Sequence, residues 1–334
     1  MSRLFLVAIT LHLLIMGDAG YAQKQAEEIL KAVVKVRAVI PDAAITAPLL
    51  GTEREGNGIL IDSDGYILTI GYLILEAKTI EVIDPEDKVI EAKFIAYDYD
   101  TGFGLIRADK LFDVPPLKLG SSSELKQGDP ALVAGHKGSE DVVGVRIVQR
   151  GEFVGYWEYL LENAIYTTPP YQNYAGAALI GPDGSLLGIG SIFTRVAVAG
   201  FGSIPANMFV PIDLLKPILN DLKTAGRSRQ PQKPWLGVTT EESHGRVFIT
   251  RLTPGGPGEK SNLQADDLIL KVNQQPVKGQ ADFYRKVWAL GSAGVKVPIS
   301  ILRETEIKEI TLNSIDRYQL LAPTAEGGEK QEKM

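Results

Sequence analysis

From Gly58 onward the chain is a succession of short β-rich runs cut by Gly and Asp turns, and this rhythm restricts its fold more than any other feature. Gly58-Ile59-Leu60-Ile61 precedes the turn Asp62-Ser63-Asp64-Gly65, which leads into Tyr66-Ile67-Leu68-Thr69. Further runs occupy 79–83, 93–96, 105–107, 131–134, 142–145 and 186–189. Many short strands with little long-helix periodicity predict a barrel or sandwich and not an alternating α/β sheet. Residues 24–38 predict a short helix leading into a strand. A second helix is predicted over 211–223, where Leu214, Leu215, Ile218, Leu219 and Leu222 recur at three- and four-residue spacing. Pro211 suits its start, and the internal Pro217 kinks or shortens it.

A length of 334 residues favours at least two folding units. The polar, breaker-rich stretch 224–234 reads as the linker between them. A compact unit follows from Trp235 to Asp316, with strands at 247–249, 268–272 and 297–302 and a helix at 280–290. Residues 317–334, most of them short of apolar side chains, are expected to form a flexible tail.

The charge balance, 35 Lys and Arg against 41 Asp and Glu, is net −6 and gives nucleic acid no broad attraction. At the N-terminus Arg3 precedes an apolar run from Leu4 to Met16, then Gly20 and Ala22, so residues 1–22 read as a signal peptide cleaved after Ala22. The run is short for a stable transmembrane span, with an uncleaved anchor as the alternative. The chain has no cysteine, which excludes disulfides, thiol catalysis and thiolate metal sites. Beyond His12, only His136 and His244 are present, without metal-ligand spacing; neither a metal nor an organic cofactor is expected. His244 reads as a turn residue and His136 as a loop histidine. Asp98 and Asp100 read as a solvated turn, not as a catalytic carboxylate pair.

Several landmarks in fixed order carry a family resemblance: GNGILIDSDGYILT at 56–69, TGFGLIR at 101–107, PPLKLGSSSELKQGDPALVAGH at 115–136, AGAALIGPDGSLLGIGS at 175–191 and SIPANMFVPIDLLKPIL at 203–219. With WLGV at 235–238, the chain resembles the HtrA/Deg family of exported trypsin-like serine proteases. The resemblance implies a mainly β fold: two six-stranded trypsin-like β-barrels over 23–223, a linker over 224–234 and a PDZ-like domain over 235–316. It also implies a periplasmic or other envelope location.

Serine protease chemistry needs a hydroxyl nucleophile, an imidazole base and a carboxylate to orient it. Matched to the family, those places hold Tyr72, Gly102 and Ala175. A phenol titrating near about 10 is a poor base at neutral pH, Gly102 has no side chain, and Ala175 has no nucleophile. The oxyanion loop is altered too, since Asn173 stands at a glycine position ahead of Tyr174 and Ala175. Asn tolerates a left-handed turn, so the loop is expected to keep an oxyanion-hole shape. The aromatics Tyr72, Trp157, Tyr159, Tyr166, Tyr171 and Tyr174 suggest a partly filled crevice, with Tyr72 and Tyr174 packed on each other or on nearby backbone; the alternative is an aromatic recognition surface. Trp157 and Tyr159 are expected in a surface loop.

In the second unit, Trp235-Leu236-Gly237-Val238 matches the carboxylate-binding loop of PDZ domains. Its backbone amides would receive a peptide C-terminus, and the next segment would pair with the peptide as an added strand. Phe283 and Val287 lie on one apolar helical face that either lines the groove or completes the core. The resulting expectation is a non-catalytic exported adaptor or regulator binding a protein or peptide C-terminus, as a homo-oligomer or mixed oligomer with an active relative. The alternatives are a serine-type endopeptidase of envelope protein quality control and a structural or chaperone-like envelope component.

Overall fold

A computed structural model describes residues 27–110 and 114–321. The expected signal peptide and the end of the expected tail lie outside the described residues. Strands β1 (Val33–Val39), β2 (Glu53–Leu60), β3 (Tyr66–Ile70), β4 (Thr79–Ile83), β5 (Val89–Tyr97) and β6 (Phe103–Ala108) close into a barrel in the order β1-β2-β3-β6-β5-β4. Alternation along β1 puts Val34, Val36 and Ala38 inside, against Ile59, Leu68, Val82 and Leu105, all essentially buried.

The second sheet uses β7 (Pro130–Ala134), β8 (Val142–Gly155), β9 (Tyr159–Thr168), β10 (Ala178–Ile180), β11 (Leu186–Val198) and β12 (Gly202–Pro211). Here the expectation of two six-stranded trypsin-like barrels needs correction, at the second sheet. In the order β10-β11-β12-β9-β8-β7, edge meets edge only through the three residues of β10 on β7, and β12 meets β9 over three residues. Strand length is the reason: β8 has 14 residues and β11 has 13, against 5 in β7 and 3 in β10. The β8–β9 and β11–β12 hairpins therefore run on past the ring as two arms, with register shifts in both.

Pro217 stops the helix expected over 211–223. A 3-10 turn at Ile212–Leu214 is followed by helix α1, Leu219–Ala225, which ends on left-handed Gly226 (φ 71°). The C-terminal unit is a sheet of β13 (Val238–Ser243), β14 (Arg246–Leu252), β15 (Leu268–Val272), β17 (Lys296–Arg303) and β18 (Glu306–Asn313). The short β16 (Gln275–Pro276) pairs β15, and helix α2 (Gln280–Trp288) packs on the sheet. Buried Asp267 is held by Arg303 through Nε at 2.6 Å and Nη2 at 2.7 Å.

The start of the expected tail is also corrected. Residues 317–321 pack back on the first barrel because they carry the apolar and aromatic groups that the following segment lacks. The Tyr99 hydroxyl donates to Leu321 O, the Tyr318 hydroxyl donates to Tyr97 O at 2.5 Å, and the Arg317 guanidinium lies 4.5 Å from the Tyr99 ring centre. With Trp235 and Leu321 buried beside Leu75, Tyr97 and Tyr99, this cluster fastens the C-terminal unit to the barrel domain.

Candidate functional site

The three positions matched to the family's triad lie on turns that hydrogen bonds tie together. Tyr72 sits in a 3-10 turn, Gly71–Leu73, directly after β3. The Gly71 amide donates to Gly102 O at 2.8 Å, which joins the Tyr72 turn to the Gly102 turn. The Tyr72 hydroxyl donates to Ser191 O at 2.6 Å, while neighbouring Gly190 exchanges hydrogen bonds with the loop beyond Ala175: Gly176 N to Gly190 O and Gly190 N to Ala177 O, both 2.8 Å. Burial pushes the Tyr72 phenol well above its usual value, so its proton stays in place and the group is no base near neutral pH.

Gly102 adopts φ 81°, and a Cβ there would meet the Tyr159 hydroxyl at 3.1 Å. That hydroxyl donates to Thr101 O at 2.6 Å. Tyr159 begins β9 and is buried, which corrects the surface-loop expectation: its ring occupies the space beside Gly102. Asp98 is buried as well, not solvated; it accepts from Thr101 N at 2.9 Å and Thr101 Oγ1 at 2.6 Å and so shapes the turn that carries Gly102. Asp100 instead pairs with Lys233 at 3.1 Å.

The altered loop is pinned by Asn57 of β2, whose amide donates to Asn173 O at 2.7 Å and Ala175 O at 3.1 Å and whose backbone N donates to Ala175 O at 2.8 Å. The left-handed residue is Gly176 (φ 71°), not Asn173, so the expected Asn turn is corrected. Gly is required at 176, because a Cβ would stand 1.9 Å from Asn57 O. His136 uses the same anchor, with its backbone N and Nδ1 each 3.0 Å from Asn57 Oδ1. Burial lowers the His136 pKa and keeps the imidazole neutral. The turn bearing Tyr72 is held from below by buried Arg54, which donates to Tyr72 O at 2.7 Å, Leu75 O at 3.1 Å, Gly51 O at 3.1 Å and Thr46 Oγ1 at 2.8 Å. His244 lies in the β13–β14 turn, its Nδ1 3.1 Å from Ser243 Oγ. Among the described residues, no group of His, Asp and Glu is arranged to hold a metal ion.

In the C-terminal unit, Trp235, Leu236 and Val238 are buried and Gly237 takes φ 70°. Phe283 and Val287 are 1% and 2% exposed and complete the core, so the groove is not lined by their free faces. The loop matched to the carboxylate-binding loop of PDZ domains is already engaged. Glu158, at the tip of the β8–β9 arm, accepts from Leu236 N at 2.9 Å and Val238 N at 3.0 Å, and Thr240 N of β13 donates to Tyr156 O at 2.9 Å. Tyr284 of α2 closes the contact: its hydroxyl donates to Gly155 O at 2.9 Å and accepts from Glu158 N at 3.2 Å, with Thr240 Oγ1 at 2.8 Å and Gln280 Nε2 at 3.2 Å. Burial raises the Glu158 carboxyl to about 7 against the pull of the loop amides and Arg317. Sequence reasoning passed over Glu158 and Tyr284. The available signal was a lone carboxylate inside the aromatic run Tyr156-Trp157-Glu158-Tyr159.

Residues 56–189 match the trypsin-like peptidase domain family and residues 234–313 match the PDZ domain family. A probable periplasmic serine endoprotease DegP-like from Pseudomonas fluorescens is 30% identical over 285 residues, covering 77% of this chain and 55% of that protein. The protein of the same description from Halomonas elongata is 26% identical over 278 residues, 77% of this chain and 55% of the relative. The chain thus spans about half the length of these curated relatives. Among solved structures, the HtrA-type protease AlgW with tripeptide superposes with a TM-score of 0.52 at 20% identity, covering 87% of this chain and 96% of that one. The serine endoprotease from Yersinia pestis gives a TM-score of 0.50 at 20% identity, covering 86% and 94%. These two establish likeness of fold. The relatives are periplasmic proteins, and this chain shares their envelope location. Ordered landmarks, two matched domains and the common fold together place the chain in the HtrA/DegP-like family of trypsin-fold proteins with a C-terminal PDZ domain.

Proposed function

We propose that the chain is a non-catalytic member of its family that captures protein or peptide C-termini through the PDZ domain. One observation carries the non-catalytic part: Tyr72, Gly102 and Ala175, the positions matched to the family's triad, lie on turns tied together by hydrogen bonds, and none of them offers the nucleophile, neutral-pH base or orienting carboxylate that acyl transfer needs. Neutral His136, with Nδ1 on the Asn57 amide oxygen, does not repair the set, because Ala175 offers no hydroxyl for an imidazole to deprotonate. Peptide capture is supported by the left-handed Gly237 turn, by Leu236 and Val238 amides already directed at a carboxylate, and by β13 accepting an added strand contact at Thr240. The related AlgW structures carry a tripeptide or a decapeptide.

The test is display of free C-terminal peptides to the intact protein and to a Gly237→Val variant. A branched side chain at φ 70° would crowd Trp235 at 3.3 Å and Gly256 at 3.4 Å and distort the loop. Peptides whose capture requires a free carboxylate and is lost in the variant support the reading; capture unaffected by amidation would refute it. Assembly as a homo-oligomer, or with an active relative, belongs to the same proposal and is read by light scattering on the processed protein.

A further inference from the structure

Deepening the tail-capture reading, we infer that the PDZ carboxylate loop is held in cis by an internal ligand, the Tyr156–Glu158 tip of the barrel-domain hairpin, and that an external C-terminus binds by displacing it. The contact reproduces the parts of a bound tail. A carboxylate sits on the Leu236 and Val238 amides, and two residues earlier a backbone carbonyl accepts from Thr240 N of the groove strand. One residue further back, Gly155 O accepts from the Tyr284 hydroxyl on the groove helix. Glu158 supplies its carboxylate from a side chain because the chain must turn back into β9. That turn places Glu158 at φ 56°, a conformation a non-glycine residue takes at a cost.

Other contacts fasten the tip. Leu160 is buried in the PDZ core with Val154 packed against it. Arg317 donates to Trp157 O at 3.2 Å, and Arg285 of α2 bridges Glu152 and Glu162 on the two strands of the arm. The Arg285 pairs are solvent-exposed and screened by salt, so they guide the arm more than they lock it. The buried carboxylate and the strand contact make the lock, and both must be released before a tail of at least three residues can enter.

Amide hydrogen exchange on the intact protein tests this with Glu158→Gly, which relieves the left-handed strain while removing the carboxylate, and Glu158→Gln, which keeps one acceptor. In the parent, the Leu236, Val238 and Thr240 amides exchange slowly. In Glu158→Gly they exchange at least tenfold faster, and in Glu158→Gln by an intermediate factor. In parallel, a pooled library of hexapeptides with free C-termini, with its amidated twin as control, is retained at least tenfold better by Glu158→Gly than by the parent. Unchanged exchange, or carboxylate-dependent retention that is equal in parent and Glu158→Gly, overturns the internal ligand. Faster exchange with no carboxylate-dependent retention supports the internal ligand and removes the tail-capture reading instead.

Discussion

Replacing Glu158 by Gln should remove a pH slope from the stability of the intact protein. The Glu158 carboxyl is raised to about 7 in the folded chain, from an ordinary 4.5, chiefly by burial. Between those values the folded state holds a proton that the unfolded state has released. Folding stability therefore falls as pH rises through that window and levels off above it. The span of about 2.5 units, at about 1.4 kcal/mol each, gives a loss of roughly 3 to 4 kcal/mol from this group between about pH 4.5 and pH 8. Arg317, Tyr284 and the loop amides face the same carboxyl, with Asp100 and Lys233 on the adjoining pocket wall; the value of about 7 is what burial leaves after the loop amides and Arg317 have pulled it down. The assay is urea denaturation of parent and Glu158→Gln across that range, reading only the difference between them, so that other titrating groups such as buried Asp98 cancel. A parent that loses about 2–4 kcal/mol relative to the variant fits. A difference independent of pH, or a parent gaining stability over the variant as pH rises, would refute the reasoning.

Other consequences follow from single side chains. Arg54→Met leaves the carbonyls of Tyr72, Leu75 and Gly51 without their donor; it should lower stability by about 2–4 kcal/mol in thermal denaturation and speed amide exchange in the Gly71–Leu73 turn. Tyr159→Phe removes the donor to Thr101 O beside Gly102 and should cost about 1–2 kcal/mol, read by the same denaturation. Gly176→Ala places a methyl against Asn57 O and should cost more than about 2 kcal/mol, with loss of the Asn57 contacts visible in amide exchange. Ala175→Ser alone should stay unlabelled by a fluorophosphonate probe, because Tyr72 is committed to Ser191 O and supplies no base.

The β runs at 58–61, 66–69, 79–83 and 105–107 were legible because the alternation that buries Ile59, Leu68, Ile80, Val82 and Leu105 is written locally. The unequal second sheet was not legible, since the extra length of β8 and β11 appears only once their partners are known. Positions 72, 102 and 175 could be named by their place in the motif order, whereas the Tyr159 ring filling the space beside Gly102 comes from 57 residues away and leaves no local periodic trace. The same holds for Glu158. Its partners lie at 236 and 238, and sequence distance hides a contact that one aromatic-flanked carboxylate only hints at. The tail from Arg317 to Leu321 escaped notice for the same reason, its partners being Tyr97, Tyr99 and Trp157.

The most direct test of the central claim is reaction of the folded protein with a fluorophosphonate probe, run beside an active HtrA-type protease and followed by intact mass. The account predicts no covalent adduct on this chain at any pH from about 5 to 9, with full labelling of the active protease. A stoichiometric adduct on the folded protein that does not form on protein unfolded beforehand would show an activated nucleophile and contradict the assignment of Tyr72, Gly102 and Ala175 as a dead triad.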